Sequence, residues 1–197
     1  MTKKIHYPVE TERLELAPYK AEYGVDLYKL KLLPETHRFN YTPVMSLEDS
    51  KKYAREFSEY DYQAPKERME LAVILKKEKK YIGYIGFKTA EYGTDSSAEI
   101  YYTLHPDYFK RGLGTEAVRG MLKLGFKILG LHRIWAGATC ENTASWKIME
   151  KLGMRRECHW LKDRPKPGKW TEGKGFEKTG EWENGYGYAI LKDEFSG

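Results

Sequence analysis

The sequence predicts an α/β domain with a central mixed, mostly antiparallel sheet flanked by helices. Two observations carry this. The first half holds three apolar runs in series with turn-rich links, and the second half alternates strand-like and helix-like patterns. A third observation is length: 197 residues correspond to one domain at roughly 100–200 residues each. The expectation is a single domain over 1–197.

The elements follow in order. Arg13 to Pro18 alternates polar and apolar residues until the proline, a first strand. Residues 21–33 read helical, with Tyr23, Leu27 and Leu30 on one side and Pro34 as the stop. Ser46 opens a second helix, capped with Asp49 three residues on, and Tyr53, Phe57 and Tyr60 form its face. Met69 to Leu75 and Tyr81 to Phe87 pair as a hairpin across a charged turn, and Ala98 to Leu104 follows the turn-rich segment Tyr92 to Ser96. Thr115 to Leu129 is a long helix with Ala117, Met121, Leu124 and Ile128 along one stripe, stopped by Gly130. Strand Arg133 to Thr139, helix Asn142 to Leu152 and strand Met154 to Trp160 come next. Residues 163–184, with two prolines and several glycines, read as a loop excursion before a last strand, Tyr186 to Leu191.

Composition narrows the function classes. Hydrophobic residues make up 41% and charged residues 32%, which argues against a disordered chain. No apolar run approaches the roughly 18 residues of a membrane helix, and the N-terminal stretch lacks the apolar core of a secretory signal. No membrane partner is therefore expected. Cys140 and Cys158 lack metal-ligand spacing and form no disulfide framework, so the expected compartment is the reducing cytoplasm, with no metal. The net charge of +5 suits an anionic cofactor. It is weak evidence for nucleic acid, and no RNA motif is recognisable.

The most informative stretch is Glu99 to Leu104, then His105 to Arg111, then Gly112-Leu113-Gly114-Thr115-Glu116-Ala117. A strand runs into a basic, glycine-containing turn that opens a helix. A helix N-terminus offers unpaired N–H groups and partial positive charge, glycines admit an anion to the backbone, and Lys110 and Arg111 add full charge. A pyrophosphate cradle and a plain strand-to-helix turn both fit. No Gly-Lys-Ser or Gly-Lys-Thr occurs, which removes the Walker type. A dinucleotide fingerprint is disfavoured, because His105 to Arg111 separates the strand from the first glycine.

A second stretch runs through Leu131-His132-Arg133-Ile134-Trp135-Ala136, then Glu141-Asn142-Thr143-Ala144-Ser145, then Met149 to Met154. In order and spacing the two stretches resemble the GNAT-fold N-acetyltransferases. Their wording is similar to the branch of ribosomal-protein N-terminal acetyltransferases, the RimJ/RimL type. The resemblance covers Arg13 to about Trp160, with Tyr186 to Phe195 closing the fold.

The resemblance implies the GNAT fold, acetyl-CoA as donor, and transfer of its acetyl group to a primary amine by direct attack in a ternary complex. Its pyrophosphate would be held by the amides of Lys110, Arg111, Gly112, Leu113, Gly114 and Thr115. Its pantetheine would lie along strand 98–104 as an added strand, at Tyr102 and Leu104, with Asn142 in contact. Phe109 departs from the polar residue that opens the family's turn motif. Met149 stands where many members carry an acidic tyrosine, which leaves Ser145 as the candidate donor to the departing thiolate and Glu99 as the candidate base for the amine. The plain readings are a helix cap for Asn142, a first-turn serine for Ser145 and a solvent-facing strand glutamate for Glu99. Tyr28, Phe39, Tyr41, Trp160, Trp170 and Trp182 are candidate walls of an amine site. The acceptor is open between a protein N-terminus and a small amine, and a homodimer is left open too. The alternative function is a CoA-binding regulatory protein without turnover, which Phe109 and Met149 favour.

Overall fold

The computed structural model describes residues 4–39, 44–65, 67–89 and 97–197. The predicted turn Tyr92 to Ser96 and the candidate wall residue Tyr41 lie outside them. The described strands are β1 (Val9–Glu10), β2 (Leu14–Ala17), β3 (Arg68–Leu75), β4 (Lys80–Thr89), β5 (Ser97–Leu104), β6 (Arg133–Thr139), β7 (Arg155–Thr171) and β8 (Gly175–Leu191). They form one sheet in the order β1-β2-β3-β4-β5-β6-β8-β7. Every pairing is antiparallel except β5 with β6.

Helices cover both faces. Against one lie α1 (Gly24–Lys31) and α3 (Leu47–Ser58), over Ala72, Ile74, Tyr81 and Tyr84. Against the other lie α4 (Leu113–Lys123) and α5 (Thr143–Lys151), whose Leu113, Ala117, Met121 and Met149 meet Leu71, Val73, Ile85 and Ile100. This is why β3 and β4 read as almost unbroken apolar runs: strands buried on both faces have no solvent side to alternate with. The cap at Ser46 forms as expected, its Oγ accepting from the Asp49 N–H at 3.0 Å.

Three expectations need correction. Residues 163–184 are not a loop: β7 and β8 continue through them as a long hairpin, turning at Gly173 (φ 73°). Prolines normally argue against a strand, but β7 is the outermost strand, where a missing N–H breaks no ladder bond, and register shifts around Pro165 and Pro167 absorb the rest. The long helix begins at Leu113 rather than Thr115, and its last six residues, Leu124–Leu129, are wound as a π-helix. The wider winding turns Ile128 out of the predicted stripe into solvent. The first helix ends at Lys31, and Pro34 opens a further short helix, α2 (Pro34–His37), instead of merely stopping the one before.

Candidate active site

The site is organised by a parting of strands. β5 and β6 pair only at Ser97↔Arg133, Ala98↔Ile134 and Glu99↔Trp135, then separate while both run on. The His105 N–H donates to the Ile82 carbonyl at 2.8 Å, which fixes the antiparallel phase between β4 and β5. By alternation, the main-chain groups of Ile100, Tyr102 and Leu104 point away from β4 into the gap. They form a strand edge with no described strand beside it. The Leu104 side chain is buried in the core, so only its backbone is available.

Beyond the end of β5 the chain makes a single 3-10 turn, Pro106–Tyr108, and reaches the head of α4. The first helical bond is from the Glu116 N–H to the Gly112 carbonyl at 3.1 Å, which leaves the N–H groups of Leu113, Gly114 and Thr115 without helical partners. Gly112 sits at φ 79° and Lys110 at φ 57°, and these left-handed residues turn successive amides toward one side. Gly114 has a different reason: a Cβ there would lie 3.0 Å from Ile148 Cδ1, so its smallness lets α4 pack on α5. Phe109 is exposed at the rim. The turn is tied to the far end of the chain. Glu116 accepts from Thr11 Oγ1 (2.6 Å), the Arg13 N–H (2.6 Å) and Arg13 Nε (2.7 Å), and Arg13 Nη1 donates to the Arg111 carbonyl (3.0 Å). Burial alone would raise the Glu116 carboxyl. The hydrogen bonds from Thr11 and Arg13 outweigh it and hold the group below the usual carboxylate range. Neither Arg13 nor Glu116 stood out in the sequence, because the contact spans about a hundred residues.

On the α5 side of the gap, Ser145 Oγ and the Tyr102 hydroxyl are 2.8 Å apart and either can donate. Burial pushes the Tyr102 phenol up to about 12, with the Ser145 hydroxyl opposing. Asn142 caps α5, its Oδ1 accepting from the Ser145 N–H at 3.2 Å, so its amide NH2 is left to face elsewhere. Met149 is fully buried in the core. Alternation along β5 puts Glu99 on the opposite face, with Tyr101 and Thr103. Burial raises the Glu99 carboxyl above its ordinary range, against the pull of Lys88, its register neighbour on β4, and of Arg164 from β7. Glu99 and Ser145 are thus not brought together. They stand on the two faces of the sheet at the parting of β5 and β6.

A cleft of about 750 Å³ lies between α2, the end of β6 and the β7–β8 hairpin, and Glu99 is not among the residues that line it. Phe39 and Trp182 line it, together with Glu35, Arg38, Cys140, Glu141, Lys162 and Phe176. Trp170 packs against His37 with the rings tilted (5.1 Å between centroids) and meets Phe176 edge-on, which anchors the hairpin to α2. Trp160 lies against Gly137, Gly185 and Gly187, and Tyr28 does not line the cleft. No described helix is long and apolar enough to cross a membrane.

Residues 13–155 match the family model described as an acetyltransferase (GNAT) domain. The chain is 32% identical over 175 residues to the uncharacterized N-acetyltransferase YnaD of Bacillus subtilis (strain 168), covering 89% of this chain and 87% of that protein. The crystal structure of an acetyltransferase (GNAT family) from Bacillus anthracis superposes with a TM-score of 0.75 at 30% identity, covering 94% of this chain and 98% of that one. Spermidine N-acetyltransferase from Vibrio cholerae, solved in complex with CoA and spermine, superposes with a TM-score of 0.74 at 17% identity, covering 93% and 98%, a likeness of fold alone.

Proposed function

Because the chain belongs to the GNAT family of acetyltransferases, we propose that it moves the acetyl group of acetyl-CoA to a primary amine, a protein N-terminus or a small amine, by direct attack in a ternary complex. The observation that carries this reading is the unpaired edge of β5 running into the amide-rich head of α4. An extended amide-bearing arm would complete the ladder at Tyr102 and Leu104, and the N–H groups of Leu113 to Thr115, with Lys110 and Arg111, would receive a pyrophosphate. When bound there, acetyl-CoA supplies the thioester.

The chain's own groups then divide the proton work. Glu99 lies on the sheet face opposite Tyr102, and a carboxyl held above its ordinary range is a better match for taking a proton from an incoming ammonium near neutral pH. The Tyr102–Ser145 pair faces the other side, at the positive end of α5, where it would hydrogen-bond the leaving sulfur and relay a proton to it. The finer likeness to the RimJ/RimL branch is supported by Asn142 and Ser145 at the start of α5 and by Met149 in place of a tyrosine late in that helix.

The test is release of CoA thiol from acetyl-CoA with peptides, polyamines and amino sugars as acceptors. Turnover with at least one amine, lost in Glu99→Gln, is expected. Tight CoA binding with no turnover on any acceptor would replace the enzyme by a CoA-binding regulator.

A further inference from the structure

We propose that Arg68 is a positioning residue: by gripping the Tyr101 hydroxyl it holds that ring off the mouth of the β5–β6 gap, and the space so kept open beside Glu99 is the seat of the acceptor amine. The seat rests on the acetyl-transfer reading above; the hold on Tyr101 rests on geometry alone.

Tyr101 follows Glu99 on the same face of β5. It lies beyond the last β5–β6 pair, Glu99↔Trp135, so β6 no longer pairs beside it. A side chain on a strand commonly takes either of two χ1 rotamers. For Tyr101 one side is the gap and the other is β4, and the ring takes the β4 side. Its register partner there is Gly86. A Cβ on Gly86 would lie 2.5 Å from the Tyr101 hydroxyl oxygen and 2.6 Å from its Cζ, and would strike the Met69 carbonyl as well. The glycine is thus a slot across β4 in which the ring lies.

The hydroxyl is held at the far end of that slot. Arg68 Nε donates to it at 2.8 Å. Arg68 is itself fixed, because its Nη2 donates to the Tyr53 hydroxyl at 2.7 Å and to Glu70 Oε2 at 2.9 Å. Glu70 is 1% exposed and also accepts from the Tyr19 and Tyr53 hydroxyls, at 2.8 and 2.9 Å. The guanidinium carbon lies 5.2 Å from the Tyr101 ring centre, 5.5 Å from that of Tyr53 and 5.6 Å from that of Phe57. A planar guanidinium makes these contacts at once, whereas an ammonium is a point charge on a flexible stem. The cation is paired inside the cluster, by Glu70, and is aimed at the Tyr101 hydroxyl rather than at the gap.

The register sets this grip beside the base. Arg68, Lys88 and Glu99 are successive partners across β3, β4 and β5, and Glu70, Gly86 and Tyr101 are partners in the next row on that face. Across the gap, Gly137 lies two residues beyond Trp135, as Tyr101 lies two beyond Glu99. Neither lip of the gap therefore puts a side chain of its own over it at that level: Tyr101 is turned away and Gly137 has none. The Trp160 ring and Arg164 Nη2 reach over from β7, lie against Gly137 and bound the far side. The cleft meets β6 at Cys140, three residues beyond Gly137. An acceptor seated in the cleft sends its amine along the gap, past Gly137 and Tyr101, to Glu99. A Tyr101 ring released toward the gap would cover that lane.

The experiment has a structural and a kinetic arm. Tyr101→Phe removes only the gripped hydroxyl, and Arg68→Lys keeps the charge beside Glu70 but not the fork. Crystal structures of both variants with bound CoA should show the ring at position 101 turned from Gly86 toward the gap. Steady-state rates are measured with a Ser-Ala dipeptide amide and with spermidine. For an amine that is turned over, each variant should raise its KM about tenfold, as loss of a hydrogen bond to a charged group allows. The kcat at saturating amine and the acetyl-CoA affinity should not change, because a ring that covers the seat about nine-tenths of the time lowers only the apparent affinity for the amine. Adding Tyr101→Ala to Arg68→Lys removes the ring and should return KM to within about threefold of wild type. A ring that stays over Gly86 in both variants, an unmoved KM, or a KM still raised in the double variant would overturn the proposal. A ring that moves in a chain releasing CoA thiol with neither amine would instead sink the acetyl-transfer reading and leave the hold on Tyr101 standing.

Discussion

Glu99 shares its sheet face with Lys88 and Arg164, and their positive charge favours its ionised form while burial opposes it. As the raised group must be deprotonated to accept a proton, turnover should fall as pH drops through its folded value. Lys88→Met removes one stabilising charge, so the acid limb of the pH–rate profile should move to higher pH; an unmoved limb would show that Glu99 is not the group that titrates. Glu99→Gln should cost about 10²–10⁴-fold in turnover and leave acetyl-CoA affinity unchanged by calorimetry. On the other face, Tyr102 and Ser145 form one hydrogen-bonded unit. Tyr102→Phe and Ser145→Ala are each expected to cost up to about 10²-fold in turnover, and the double variant no more than the worse single one, because groups acting together are not additive. Fully additive steady-state losses would separate them. At this scale the sequence was half legible. The resemblance pointed to Ser145 and Asn142, and to Tyr102 as a contact of the pantetheine, but the contact between the Tyr102 phenol and Ser145 was not visible, since the two are 43 positions apart and meet through packing.

The head of α4 shows what an element adds to its residues. Gly112→Val would force a β-branched side chain to φ 79°, where strain is of order 1–3 kcal/mol, while the nearest atom to a Cβ, Arg13 Nη2 at 3.4 Å, leaves room for it. The damage should therefore come from a displaced amide turn, seen as an acetyl-CoA affinity roughly tenfold or more weaker in a folded variant. Wild-type affinity would remove the cradle. Glu116→Gln tests the staple to Arg13. The held-down carboxyl stabilises the fold above the usual carboxylate range, and this contribution is lost as pH falls through its lowered value. The difference in melting temperature between wild type and Glu116→Gln should be full at about pH 7 and shrink as the pH falls below the usual carboxylate range. A gap that persists in acid would mean that packing, not charge, holds the turn. The glycines were legible as a turn that opens a helix. Their division of labour was not, because Ile148, which requires the small Gly114, belongs to another helix.

At the scale of the whole molecule, the strand sequence was readable because period-two patterns and turn residues are local signals, and β2 through β6 lie close to their expected positions. The hairpin arm was not. Pro165, Pro167 and the glycines around them signal a loop locally, and only the position of β7 at the sheet edge makes a strand tolerable there. That arm closes one wall of the cleft, with Trp182 on it and Trp170 packed against His37, so the least legible segment shapes the cavity proposed for the acceptor. The gap itself follows from one parallel pairing that ends after three residue pairs. The chemistry assigned to that gap is tested most directly with acetyl-CoA carrying carbon-13 in its acetyl group, by mass spectrometry of both acceptor and protein after a single turnover. The expected result is label on the amine nitrogen in equal amount to released CoA, with the chain unlabelled; label retained on Cys140 or Cys158, or released CoA with no labelled amine, would contradict direct transfer across the gap.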